Sequence, residues 1–177
     1  MLRDIQQETV IREILSQERL YALYGMSSNP IRPSYFVGTY LNGHAFNFVS
    51  INPGIKEIFS RPCYPRISDM PSTPDVVVIF RRAEECPGVV REAIAAGAKW
   101  IWLQFGIVSE ESRKLAAEAG IGYVEDRCLK VEHSRYLGNL YQAGINTGLI
   151  SARRRHASTQ EDGRISMAPL CELPSRN

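Results

Sequence analysis

Five consecutive apolar residues, Val76-Val77-Val78-Ile79-Phe80, stop abruptly at Arg81-Arg82 and leave no polar position for a solvent-facing side. Successive side chains of a β-strand point to opposite faces, so an unbroken apolar strand needs cover on both. Helices laid across a parallel sheet give that cover, and the flanking sequence is patterned to supply them. On the C-terminal side, Val89, Val90, Ala93 and Ile94 predict a helix over 84–96 with one inward face, closed by Gly97.

The same alternation runs through the rest of the chain. Ile5, Val10, Ile11, Ile14 and Leu15 predict an amphipathic helix over 3–17, and Tyr21 to Tyr24 a short buried strand. Pro33-Ser34 suits the first turn of a helix holding Tyr35, Phe36, Val37 and Tyr40 and ending at Asn42-Gly43. Phe46 to Ile51 reads as a strand stopped by Asn52-Pro53-Gly54. Pro62, Pro65, Pro71 and Pro74 exclude a regular helix from 55–74, which is predicted to wind around the sheet edge. Trp100 to Gln104 is the next strand, with Trp100 and Trp102 on one face as core residues. Ser109-Glu110-Glu111-Ser112 opens a helix ended by Gly120, and Ile121 to Glu125 is the last strand. The fold class is therefore α/β: a Rossmann-like open parallel sheet of about five strands with helices on both faces, in a single domain. An N-terminal helix over 1–17 packs on a domain spanning 18–150. Residues 151–177, with Arg153-Arg154-Arg155-His156, Pro169 and Pro174, form a polar tail.

Charge and cysteine usage narrow the function. Twenty-one basic residues against 19 acidic ones give a net charge of +2, too near balance for a general nucleic-acid or membrane surface. Cys63, Cys86, Cys128 and Cys171 form no C-x-x-C pair, which suggests no zinc ligand set and a reduced, cytoplasmic setting. The first residues lack the apolar core of a signal peptide, and no run approaches the ~18 apolar residues of a membrane span.

In an open doubly wound sheet, ligands bind beyond the carboxyl ends of the strands, where strand order reverses. The residues leaving the strands are Gly25 to Arg32, then Asn52, Pro53 and Lys56, then Arg81 and Arg82, then Gln104, Phe105 and Gly106, and finally Asp126, Arg127 and Cys128. Gly25 gives the first exit a backbone free of a Cβ. Ser27, Ser28 and Asn29 then lie at the positive end of the following helix, which favours phosphate, and Arg32 adds a full charge. The stretch is neither a G-x-G-x-x-G fingerprint nor a P-loop, and an ordinary strand-to-helix turn would read the same way. Asn52 stands where an NAD-binding domain carries the acid that reads the ribose, which disfavours NAD. Arg81 and Arg82 read either as phosphate contacts or as charges capping a buried strand. Glu132-His133 has no accompanying nucleophile and reads as structural. Cys128 is set apart by its cationic neighbours Arg127 and Lys130.

Six pieces of the sequence carry a family likeness: Gly25-x-Ser27-x-Asn29-Pro30-x-Arg32-x-Ser34, Ile51-Asn52-Pro53, Cys63-Tyr64-Pro65, Phe80-Arg81-Arg82, Trp102-Leu103-Gln104-x-Gly106 and Asp126-Arg127-Cys128-x-Lys130-x-Glu132-His133. Together, over roughly 18–135, they resemble the small stand-alone CoA-binding proteins similar to the N-terminal domain of the succinyl-CoA synthetase α subunit. The resemblance implies coenzyme A or an acyl-CoA as ligand. It implies the loop from Gly25 to Ser34 on the pyrophosphate, Asn52-Pro53 and Phe80-Arg81-Arg82 near the adenosine part, and the Gln104 loop along pantetheine, with Cys128 near its end. The synthetase's phosphohistidine lies on a second domain for which 177 residues leave no room, and His44, His133 and His156 lie on no Gly-rich phosphohistidine loop. The implied role is a binding protein without independent catalysis, alone, as a homo-oligomer or with a protein partner. The alternatives are a partner-dependent acyl-CoA ligase or acyl transferase component and an NAD(P)-binding redox regulator.

Overall fold

The computed structural model describes residues 2–137. In chain order the elements are α1 (Leu2–Leu15), β1 (Tyr21–Tyr24), α2 (Pro33–Gly43), β2 (Phe48–Ile51), β3 (Glu57–Ile58), β4 (Arg61–Tyr64), β5 (Val76–Ile79), α3 (Cys86–Ala95), β6 (Trp100–Leu103), α4 (Glu110–Glu118), β7 (Gly122–Val124) and α5 (Leu129–Leu137). They build an α/β domain around one sheet, ordered β3-β4-β2-β1-β5-β6-β7 and parallel throughout except for β3. From β1 the chain moves outward to β2 and β4, then returns to place β5 on the other side of β1. Strand order reverses between β1 and β5, which is the Rossmann-like arrangement and makes a crevice above that boundary.

β5 behaves as its sequence predicts. All four of its residues are fully buried, Val76 and Val78 against one core layer and Val77 and Ile79 against the other. Burying such a side chain contributes about 1.5–3 kcal/mol, so this strand anchors both layers. Ile11 and Ile14 of α1, Val37 and Leu41 of α2 and Leu129 of α5 fill the first layer, together with both tryptophans of β6. Val89, Val90 and Ala93 of α3 fill the second. Ser109 caps α4 as expected, its hydroxyl accepting from the Ser112 amide at 3.3 Å.

Two regions differ from the sequence-based expectation. The proline-rich segment adds two strands, so the sheet has seven rather than about five. Pro62 is tolerated because β4 lies next to the edge, where its ladder to β2 runs through Cys63 and Tyr64 and its pairing with β3 is only two residues long. Residues 129–137, to which the sequence reading assigned no element, form α5. Its buried face carries Glu132 and Arg135, joined at 2.9 Å, so the apolar spacing that signals a helix is broken by charges that offset each other. The predicted polar tail over 151–177, and the end of the predicted domain, lie outside the described residues. Among the described residues no helix is long and apolar enough to cross a membrane.

Candidate functional site

The carboxyl ends of four adjacent strands are laced together by backbone hydrogen bonds. The Ile51 carbonyl of β2 accepts from Gly25 at 2.9 Å, the Tyr24 carbonyl of β1 from Phe80 at 2.9 Å, and the Ile79 carbonyl of β5 from Gln104 at 3.3 Å. The exits singled out in the sequence therefore share one edge. Gly25 has φ +87°, and a β-carbon there would stand 3.2 Å from both the Phe80 carbonyl oxygen and Arg81 Nε. Only glycine gives this backbone freely, and only glycine leaves room for the β5 exit to close against it.

The first loop is held by its own side chains. The Ser27 amide donates to Ser34 Oγ at 3.2 Å, the Asn29 amide to Ser27 Oγ at 3.1 Å and the Ile31 amide to Asn29 Oδ1 at 3.0 Å. Ser34 is buried, whereas Ser28, Asn29, Pro30 and Arg32 are exposed. A hydroxyl that accepts from an amide keeps its own O–H to donate, so Ser27 holds the loop and still offers a donor. Arg32 is the N-cap residue of α2, which places its charge at the positive end of that helix.

Asn52, half-buried, is already engaged with the backbone of two exits. Its Nδ2 donates to the Met26 carbonyl at 2.5 Å and its Oδ1 accepts from the Gly54 amide at 2.9 Å, so both polar ends of the carboxamide clamp the β1 and β2 exits. Pro53 and Lys56 are exposed beside it. At the β5 exit, Arg81 is about one-third exposed and lies 4.0 Å from Glu85, while Arg82 is largely exposed and pairs with Glu84 at 3.4 Å and Glu85 at 3.5 Å. An anion reaching these arginines competes with two carboxylates. Phe80 is half-buried against the core layer beneath α2 and α5.

Beyond β6 the arrangement changes from charged to polar and buried. Gln104 is 5% exposed; its Oε1 accepts from the Leu129 amide at 3.4 Å, and its Nε2 is buried with no hydrogen-bond partner among the described residues. A buried donor left unpaired costs about 1–3 kcal/mol. The Gly106 amide donates to Asp126 Oδ1 at 2.8 Å, and Trp102 Nε1 to the Arg127 carbonyl at 2.7 Å, so residues 126–129 are tied down over the end of β6. Cys128, half-buried, directly precedes α5. The sequence reading missed that this exit opens a helix, so the crevice has the amino end of α2 on one side and that of α5 on the other.

At the opposite, amino-terminal edge of the sheet, a cavity of about 690 Å³ is lined by residues including Tyr21, His44, Phe46, Asp75 and His133. The His44 and His133 rings lie 5.6 Å apart, and Tyr40 Oη is 3.0 Å from His133 Nδ1 and 2.9 Å from Ser134 Oγ. Burial and the neighbouring His44 hold His133 below the ordinary histidine range. This contact joins α2 to α5; nothing in their separate sequence positions signalled it.

A CoA binding domain family model matches residues 19–134, which contain every strand and the whole laced edge. Over 124 residues the chain is 32% identical to the uncharacterized protein YneT of Bacillus subtilis (strain 168), covering 70% of this chain and 92% of that one. A hypothetical protein from Pyrococcus horikoshii OT3 has a similar structure, with 37% identity, a TM-score of 0.71 and coverage of 74% of this chain and 92% of that one. A dinucleotide-forming acetyl-coenzyme A synthetase 1 from Ca. Korarchaeum cryptofilum shares the fold at 23% identity and a TM-score of 0.57, with 65% of this chain matching 27% of that one. The chain belongs to the CoA-binding domain family.

Proposed function

We propose that this protein binds CoA, or an acyl-CoA, in the crevice at the carboxyl ends of β2, β1, β5 and β6. Ser27, Ser28, Asn29, Arg32 and Ser34 would hold the pyrophosphate through hydroxyls, amides and the positive end of α2. Asn52, Pro53, Lys56, Phe80, Arg81 and Arg82 would flank the adenosine part, with Asn52 acting by shaping the loops. Gln104, Gly106 and Cys128 would face the pantetheine arm. Two features fit such a ligand: Gly25 lets the β1 and β5 exits close on each other at the edge of the crevice, and Gln104 Nε2 holds a donor without a partner among the described residues.

The observation that favours CoA over a dinucleotide is Asn52. The end of β2, where NAD-binding domains present an acid to the ribose, carries a carboxamide whose two ends are already engaged with Met26 and Gly54. The proposed role is that of a cytoplasmic binding protein, with chemistry, if it takes part in any, supplied by a partner chain. Thermal shifts with CoA, acetyl-CoA, NAD and NADP at equal concentration test this reading. CoA and acetyl-CoA are expected to stabilise most; a larger shift with NAD or NADP would overturn it in favour of a dinucleotide regulator.

A further inference from the structure

Cys128, Gln104 and the amino end of α5 meet at one place. The Leu129 amide reaches Gln104 Oε1 at 3.4 Å, which sets the Gln104 carboxamide against the Cys128–Leu129 peptide. The hydrogen bonds from Gly106 to Asp126 and from Trp102 to the Arg127 carbonyl hold the two preceding residues over the same strand end. Cys128 is half-buried rather than sealed in the core, and its own carbonyl accepts from Glu132 to start α5. An unpaired, buried Gln104 Nε2, on the carboxamide whose oxygen meets the Cys128–Leu129 peptide, needs an oxygen acceptor, and a carbonyl is the neutral group that supplies one without bringing a charge into a buried site.

Resting on the CoA reading above, we propose that Cys128 is a modification site at which the protein forms a mixed disulfide with CoA. The pantetheine arm carries amide carbonyls close to its terminal sulfur, so a carbonyl on Gln104 Nε2 brings that sulfur to the neighbouring Cys128. The oxidant is a disulfide of CoA. The Cys128 thiolate, having lost its proton to solvent, attacks one sulfur of that disulfide; the Cys128–sulfur bond forms as the CoA sulfur–sulfur bond breaks, and one CoA leaves as thiolate and takes up a proton. One disulfide is consumed and one is formed. Cys63 and Cys86 are poor competitors, since burial raises both thiols, Cys86 to about 11, and keeps them protonated.

The test treats the full chain with CoA disulfide and, separately, with glutathione disulfide, following adducts by intact mass and peptide mapping. The expected product is a single CoA adduct at Cys128, absent in Cys128→Ser. It should form about tenfold faster than the glutathione adduct and be slowed about tenfold by adenosine bisphosphate, a fragment of CoA without the arm. Gln104→Glu keeps an acceptor for the Leu129 amide and removes the donor, so it should slow the CoA adduct more than the glutathione adduct, which the added charge slows only by disfavouring the thiolate. Adducts at Cys63, Cys86 or Cys171 with Cys128 free, or equal rates with both disulfides, would overturn the proposal. CoA binding measured by calorimetry on the reduced protein separates the two readings: binding without modification defeats this inference alone, and no binding defeats the CoA reading beneath it.

Discussion

Gly25 at the end of β1 and Arg81 at the end of β5 are packed so closely that a β-carbon on the glycine would stand 3.2 Å from Arg81 Nε. The position also has φ +87°, so alanine there meets a conformational penalty and a steric one together. Gly25→Ala is expected to cost about 1–3 kcal/mol in urea unfolding and to weaken CoA binding by pushing the β1 and β5 exits apart. Unchanged stability and affinity would show that the two exits are not coupled through this contact.

The two arginines of the β5 exit should not contribute equally. Arg81 lies against Gly25 and is about one-third exposed on its side chain, whereas Arg82 is 78% exposed and held by Glu84 and Glu85. A charge-assisted hydrogen bond contributes about 1.5–3 kcal/mol, so Arg81→Ala should lower CoA affinity roughly tenfold or more in calorimetry. Arg82→Ala should lower it less. Both variants should keep their fold, because exposed ion pairs contribute only about 0–1 kcal/mol. Equal losses would mean that the carboxylates release Arg82 to the ligand as readily as Arg81.

Asn52 offers a direct check on how the loops are held. Asn52→Asp replaces the Nδ2 donor with an oxygen facing the Met26 carbonyl, and the expected loss of stability is about 1–3 kcal/mol. The same substitution supplies the acid of an NAD site, yet it should not create NAD binding, because the side chain is committed to the loops. A gain of NAD affinity without loss of stability would contradict that placement.

Much of this arrangement is legible in the sequence because local chemistry fixes it. The apolar run at Val76 announced a doubly covered strand, Ser109 announced a cap, and the exits could be written down once the strands were known. What escaped were features decided by distant partners. β4 was hidden by Pro62, whose missing amide matters less so near a sheet edge. α5 was hidden because its inward face carries Glu132 and Arg135, charges that only a folded pairing makes tolerable. The loop-holding role of Asn52 was hidden because nothing nearby shows that Met26, at the other exit, takes its donor.

The joint between α2 and α5 should respond to pH. His133 is held below the ordinary histidine value first by burial and then by His44, so the fold favours its neutral form. The sign follows: above the unfolded value of about 6.5 both states are neutral, and as pH falls below it the unfolded chain takes up the proton more readily, so stability declines. Unfolding measured from neutral to mildly acidic pH should show this loss, and His133→Asn should flatten it. An identical pH slope in the variant would place the titrating group elsewhere.

The central claim is that the laced strand ends form a CoA site, and competition in a single sample tests it most directly. Native mass spectrometry of the purified full chain with equimolar CoA and NAD reports the bound ligand by its own mass. The expected spectrum shows one CoA per chain as the dominant complex, with NAD binding weak or not detected. A dominant NAD complex, or free protein alone at concentrations where calorimetry should detect CoA, would contradict it.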